Sequence, residues 1–323
     1  MGVASVSAAL AIGYVMQHES QPKMRLAQTA AKVAPVKDRI EIEEIALTAA
    51  PSTAPEIPVT VPVEEDAVAL AAVTSQMDVV PVPAEESPAL NQPAIVTTCE
   101  PEMTARAMPA AMVELSLAAA CLPDRRVTIH HNGMMFTQVT DAEGMLRLQV
   151  PALSSSGVFI ADFGDDLGAV AHSAVPDLAG YDRAVLQWRG NAGLHLHAME
   201  FGAGFGEDGH IWADQPGSSD RALAGQGGFV TVLGDRGLIG GQRAEIYTFP
   251  SGQAPRDGDV VLSVDAEVKP ANCQQQLEAE ALQLTEGGGL EVRELVLSMP
   301  QCDAVGDFLV LKNLLQDLKV AAN

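Results

Sequence analysis

Aromatic residues are scarce in this chain. Its 323 residues hold eight Phe, three Tyr and two Trp, and none lies between Tyr14 and Phe136. Rings bury the largest apolar areas, so a stretch without one is excluded as continuous globular core. Basic residues are few as well. Nineteen Lys and Arg stand against 42 Asp and Glu, a net charge of −23, which excludes a phosphate-binding surface for nucleic acid. Only four cysteines occur, with no C-x-x-C, so neither a zinc ribbon nor a thioredoxin motif is on offer. No G-x-S-x-G elbow, P-loop or H-E-x-x-H is found, which removes the commonest hydrolase and nucleotide signatures.

What is present begins with an uncharged run, residues 1–17. As a helix its apolar part spans about 24 Å, somewhat short of the ~30 Å hydrocarbon core. An uncleaved membrane anchor fits best; a cleaved signal segment and a buried helix are the alternatives. Lys23, Arg25, Lys32, Lys37 and Arg39 follow the run, which by charge bias would hold the rest of the chain in the cytoplasm. The cysteines argue the other way. Cys99 with Cys121, and Cys273 with Cys302, form two sequence-local pairs that suit disulfides in an oxidising compartment, four buried thiols being the alternative. A start codon placed too late, removing a basic leader, reconciles the two signals.

Residues 18–98 read as a disordered linker. Between residues 40 and 98 there are ten acids and no Lys or Arg, and eight prolines fall between Pro51 and Pro93. Proline removes ladder donors and fixes φ, so such a segment is an extended spacer. A short strand at residues 57–63 is the one regular element its composition allows.

Residues 99–323 predict an antiparallel, β-sandwich-like body. Residues 112–117 alternate as a half-buried strand does. Residues 126–131 and 134–140 flank Asn132-Gly133, the pair that supplies the positive φ of a type I′ hairpin. Asp141-Ala142-Glu143-Gly144 makes a second turn into residues 145–150, and further strands follow at 158–163, 184–188, 194–201, 229–233, 244–249 and 260–268. A Gly-, Ser- and Asp-rich loop covers 202–228. Residues 277–284 and 290–299, joined by Gly287-Gly288-Gly289, predict a last hairpin with Cys273 and Cys302 at its base. A subdivision of the body near 176–180 is compatible with this spacing. Residues 304–320 predict an amphipathic helix. Phe308, Leu311, Leu315 and Leu318 form its stripe, either packed on the sheet or offered to a partner.

Six of seven histidines lie in the body. His195-x-His197 is the sharpest pattern, since alternate strand residues share a face and two imidazoles can approach one metal ion, with His210 in the next loop. Structural histidines are the plainer reading. Glu200 stands too close behind His197 for the cupin spacing and turns to the opposite strand face. His130 and His131, being adjacent, point opposite ways. Gly204–Gly209 matches G-x-G-x-x-G but lacks the following helix, and its Glu207 and Asp208 would repel a pyrophosphate. Asp162, Asp165 and Asp166 do not have the EF-hand spacing.

Several blocks resemble a family of uncharacterised alphaproteobacterial proteins of the Rhodobacter group: residues 13–17 (GYVMQ), 109–113 (PAAMV), 127–140 (VTIHHNGMMFTQVT) and 302–320 (CDAVGDFLVLKNLLQDLKV). Members are often labelled "translocase". The resemblance implies a short anchor, a variable Pro/Ala-rich linker and a periplasmic β-rich domain, and implies no catalytic residues. Together these readings predict a single-pass inner-membrane protein with its body in the periplasm, binding or scaffolding an envelope protein without cofactor or nucleic acid. Anchor, spacer and terminal domain share the layout of TonB-like transducers. The rival expectations are a metal-dependent periplasmic enzyme using His195, His197 and His210, and an accessory component of protein export.

Overall fold

The computed structural model describes residues 45–48, 99–284 and 289–322. The predicted anchor and nearly all of the predicted linker lie outside these residues. Four linker residues do not conform to the expectation. Strand β1 (Ile45–Thr48) pairs antiparallel with β17 (Phe308–Leu311), so this stretch belongs to a sheet.

The body is antiparallel β, as predicted, and its strands form four sheets. A three-stranded sheet orders β2 (Glu102–Met108), β3 (Met112–Ala118) and β6 (Met145–Pro151). A four-stranded sheet follows the order β5 (Met134–Val139), β4 (Arg126–His131), β7 (Ser156–Gly164), β8 (Leu167–Ala174). The β4–β5 hairpin turns on Asn132 and Gly133 at φ 49° and 89°, the left-handed geometry that this residue pair favours. Asp141 closes the next turn by accepting the Glu143 and Met145 N–H groups on Oδ1. Inward-facing Leu115, Leu117, Ile129, Phe136, Phe159 and Ala161 fill the space between the two sheets. Two of the few rings therefore sit at the centre of this core.

A 3₁₀ turn (Pro176–Gly180) leads into the second group of strands. Its five-stranded sheet orders β12 (Phe229–Leu233), β13 (Gln242–Phe249), β9 (Asp182–Arg189), β15 (Gln276–Leu284) and β16 (Leu290–Ser298). The last sheet runs β1, β17, β14 (Gly258–Glu267), β10 (Leu194–Glu200), β11 (His210–Ile211), and β18 (Leu318–Val320) also pairs with β14. The five-stranded sheet is covered on both faces. Val185, Ile246 and Leu282 join the first core, while Leu186, Tyr247 and Ala281 join a second core against the β10–β14 sheet. That double burial explains why β9 and β13 are buried along nearly their whole length rather than at alternate positions.

Both cysteine pairs are disulfides, Cys99–Cys121 and Cys273–Cys302, with Cα separations of 5.6 and 5.1 Å. The second ties the base of the β15–β16 hairpin.

The predicted helix over 304–320 is corrected. This stretch forms a 3₁₀ turn (Cys302–Ala304), then β17 and β18. Leu309 and Leu311 point inward at period two, and the backbone turns left-handed at Gly306 (φ 98°) and Asn313 (φ 65°), which interrupts any helix. A short Leu-rich run satisfies both periods, and the open edge of β14 selects the strand. Leu311, Leu315 and Leu318 lie buried in the second core and Phe308 is half-buried, so the expected partner-facing stripe is interior packing.

Candidate functional site

The histidine pattern of β10 is where the fold gathers most of its polar chemistry. Leu194, Leu196 and Ala198 face the second core, which turns His195 and His197 to the outer face of the sheet. Residues 201–217 then fold back over that face. The reversal begins at Phe201 and Gly202, both left-handed (φ 53° and 84°), and β11 pairs Met199 with His210 and Ala198 with Ile211. His210 thereby arrives beside His197.

A chain of contacts results. The Gly206 N–H donates to His210 Nδ1 at 3.0 Å, and His210 Nε2 lies 2.8 Å from His197 Nδ1. A backbone N–H only donates, so His210 Nδ1 holds a lone pair and the neutral ring carries its proton on Nε2. That proton points to His197 Nδ1, which leaves the His197 proton on Nε2. His197 Nε2 stands 2.9 Å from Asp265 Oδ2 of β14, a close approach without hydrogen-bond geometry. His197 and His210 are 2% and 3% exposed. Trp212 stacks on both rings, with centroids 5.0 and 5.6 Å away, and Phe205 closes over them at 5.4 and 4.9 Å. Burial and the neighbouring His197 lower the pKa of His210, and Asp265 opposes them.

His195 does not join this chain. Its Nδ1 lies 3.2 Å from Glu245 Oε1 of β13, whose other oxygen accepts the Leu196 N–H at 2.8 Å. The hydrogen bond to Glu245 raises the His195 pKa against the opposing effect of burial.

Glu200 points to the inner side, away from the histidines. Its Oε1 accepts the Tyr247 O–H at 2.8 Å and the Gly228 N–H, and its Oε2 accepts Arg221 Nη2 at 2.8 Å. Arg221 belongs to the short helix α1 (Ser219–Leu223), capped by the Ser218 hydroxyl. Burial raises the Glu200 pKa, opposed by its Gly228, Tyr247 and arginine contacts, and burial beside this carboxylate pushes Tyr247 well up. Glu200 therefore fixes residues 218–228 as the histidine pair fixes 203–212.

The remaining sequence candidates have local roles. Glu207 Oε2 accepts the Gly204 N–H and His210 takes that of Gly206, so side chains of the same loop occupy the amides that a phosphate would need. Asp162 Oδ1 accepts the Gly164 N–H at the β7–β8 turn, where Asp165 and Asp166 are left-handed. Asp162, Asp166 and His130 border a shallow depression of about 360 Å³. His131 is buried, with Nδ1 donating to Val158 O and Nε2 accepting the Leu153 N–H. Among the described residues no three His, Cys, Asp or Glu side chains are grouped to hold a metal ion, and no helix is long and apolar enough to cross a membrane.

Sequence reasoning missed Asp265, Glu245, Trp212 and Tyr247. Asp265 left a trace, as one of two acids, with Glu267, inside the apolar run 260–268. Glu245 left a similar one in 244–249. No family model matches the chain, and no curated protein is significantly similar to it.

Proposed function

We propose that this chain is an extracytoplasmic binding or scaffold protein of the cell envelope. In this reading residues 1–17 hold it at the inner membrane, residues 18–98, apart from the strand 45–48, set it off from the lipid, and the disulfide-braced β body engages an envelope protein through its surfaces. The single observation that carries the reading is how the polar clusters of the body close on themselves. His197 and His210 meet each other and the Gly206 N–H through their ring nitrogens with Asp265 close by, His195 leans on Glu245, and Glu200 is enclosed by Tyr247, Arg221 and Gly228. Groups so engaged hold loops on a sheet. The two disulfides support an oxidising compartment, and the resemblance to the alphaproteobacterial family supports the periplasmic address.

Fusion of compartment-specific reporters to the C-terminus tests the address. A reporter that works only in the periplasm should be active, and activity of a cytoplasm-only reporter would overturn the reading. Crosslinking in intact cells should capture a defined envelope protein; capture of lipid alone counts against a scaffold. Stoichiometric zinc, copper or iron in the purified protein, lost on His197→Gln, would replace this reading with a metal-dependent one.

A further inference from the structure

We propose that residues 203–212 form an acid-released clasp on the outer face of the β10–β14 sheet, held shut by the neutral His197–His210 pair. The pair has few lone pairs on its ring nitrogens. Two neutral imidazoles offer two, on His210 Nδ1 and His197 Nδ1, and both are in use, the first by the Gly206 N–H and the second by His210 Nε2–H. One added proton must occupy one of them. A proton on His210 Nδ1 faces the Gly206 N–H, donor against donor. A proton on His197 Nδ1 faces His210 Nε2–H in the same way. Moving the His210 proton to Nδ1 relieves that clash only by recreating the first. The chain therefore has no arrangement that accepts a proton and keeps all its contacts.

The surroundings set the direction. Asp265 on β14 lies 2.9 Å from His197 Nε2, the ring nitrogen that His210 does not touch. On β10 itself, His195 is already engaged with Glu245 of β13 and is also near Lys269. The loop carries two acids, and a third follows it. Glu207 is turned onto the Gly204 N–H, and Asp208 and Asp214 lie on the polypeptide around it. Burial and His197 depress the His210 pKa in the closed form. A histidine depressed in this way favours the shut form fully above its ordinary value near 6.5 and loses that contribution as pH falls through the depressed value. Phe205 is 62% exposed, and β11 contributes only two residue pairs to the sheet. Release would uncover His197, Asp265 and one face of Trp212. This inference stands on the geometry of the loop and is independent of the compartment or partner proposed above.

Hydrogen exchange read by mass spectrometry on the full oxidised chain, corrected for the intrinsic pH dependence, tests it. Between pH 7.5 and 5 the protection of peptides spanning 203–212 should fall about tenfold or more, since one pH unit below the relevant pKa is worth a factor of ten per proton taken up. Peptides from β9 and β13 should hold. In His210→Gln, whose amide has no proton to gain in this range, protection of the loop should be independent of pH. Unchanged loop protection in the wild-type chain overturns the proposal. So does its loss together with the β9 and β13 peptides, which would mean global unfolding, or an undiminished pH response in His210→Gln. Should that variant fail to fold, the wild-type series decides alone.

Discussion

Arg183 of β9 donates through Nη2 to the carbonyls of Ala110 and Ala111, at 3.0 and 2.8 Å, and so joins the two groups of strands at the β2–β3 turn. Both alanines are left-handed, at φ 61° and 51°, and neither is exposed. A left-handed non-glycine residue costs about 1–2 kcal/mol, so the turn depends on outside support. Asp177 in the connecting 3₁₀ turn supplies the rest by accepting the Ala111 N–H at 3.0 Å. The guanidinium is wholly buried, and burial lowers its pKa to about 9, opposed by Asp177 and Tyr181.

Replacing Arg183 by Met keeps the apolar stem but leaves the Ala110 carbonyl without its donor. The expected loss is about 2 kcal/mol, the cost of one unsatisfied buried polar group offset in part by relief of a buried charge. Arg183→Ala adds a cavity and should lose more, in the range of about 3–5 kcal/mol. Urea unfolding of the oxidised protein checks both, and a Met variant as stable as the parent would show that the turn holds itself.

His131 makes stability acid-sensitive. Burial lowers its pKa to about 4, with the Val158 hydrogen bond opposing, and Phe159 stacks on the ring at 4.1 Å. The unfolded value is near 6.5, so its contribution is complete above that pH and lost as pH falls toward 4. The difference is worth about 3 kcal/mol. Denaturant midpoints at pH 7, 5.5 and 4 should fall steadily. His131→Asn should be less stable at pH 7 and show a shallower fall, and an equal slope in both proteins would remove His131 as the cause.

Glu200 governs the loop that carries Arg221. Glu200→Gln weakens the arginine contact, and Tyr247→Phe removes the phenol donor; each should cost about 1–3 kcal/mol. Glu200→Gln takes the carboxylate from Arg221 and Tyr247→Phe loosens that carboxylate, so trypsin should cut after Arg221 faster in both variants, with the larger increase in Glu200→Gln. Limited proteolysis under native conditions reads this directly.

Each disulfide closes a loop, with sequence separations of 22 and 29 residues. By chain entropy the loss of either should cost roughly 3–4 kcal/mol. Paired Cys→Ser variants of Cys273 and Cys302, and of Cys99 and Cys121, should unfold at lower urea. Reductant should shift the parent on non-reducing gels, and a chain that carries four alkylatable thiols as isolated from cells would contradict the pairing.

The sequence by itself determined the β class, the Asn132-Gly133 hairpin and the bounds of most strands, because turn chemistry and period-two patterning are local. It also determined that His195 and His197 share a face opposite to Glu200, since the strand period alone requires it. The cysteine pairs were legible as local partners. The C-terminal run was misread, because a helical stripe and two short strands place leucines almost identically until an open sheet edge chooses between them. What only the tertiary structure decided is which distant residues meet. Asp265 reaches His197 from β14, Glu245 reaches His195 from another sheet, and Trp212 covers the pair from a loop whose path no local rule dictates. The same is true of the scarce aromatic rings. Composition fixed how few there are; packing put Phe136 and Phe159 at the centre of one core and Tyr247 and Phe249 in the other, so Val, Leu, Met and Ala close the remaining volume. Side-chain contacts across sheets are set by register and layer order, and these follow from the summed burial of the whole body.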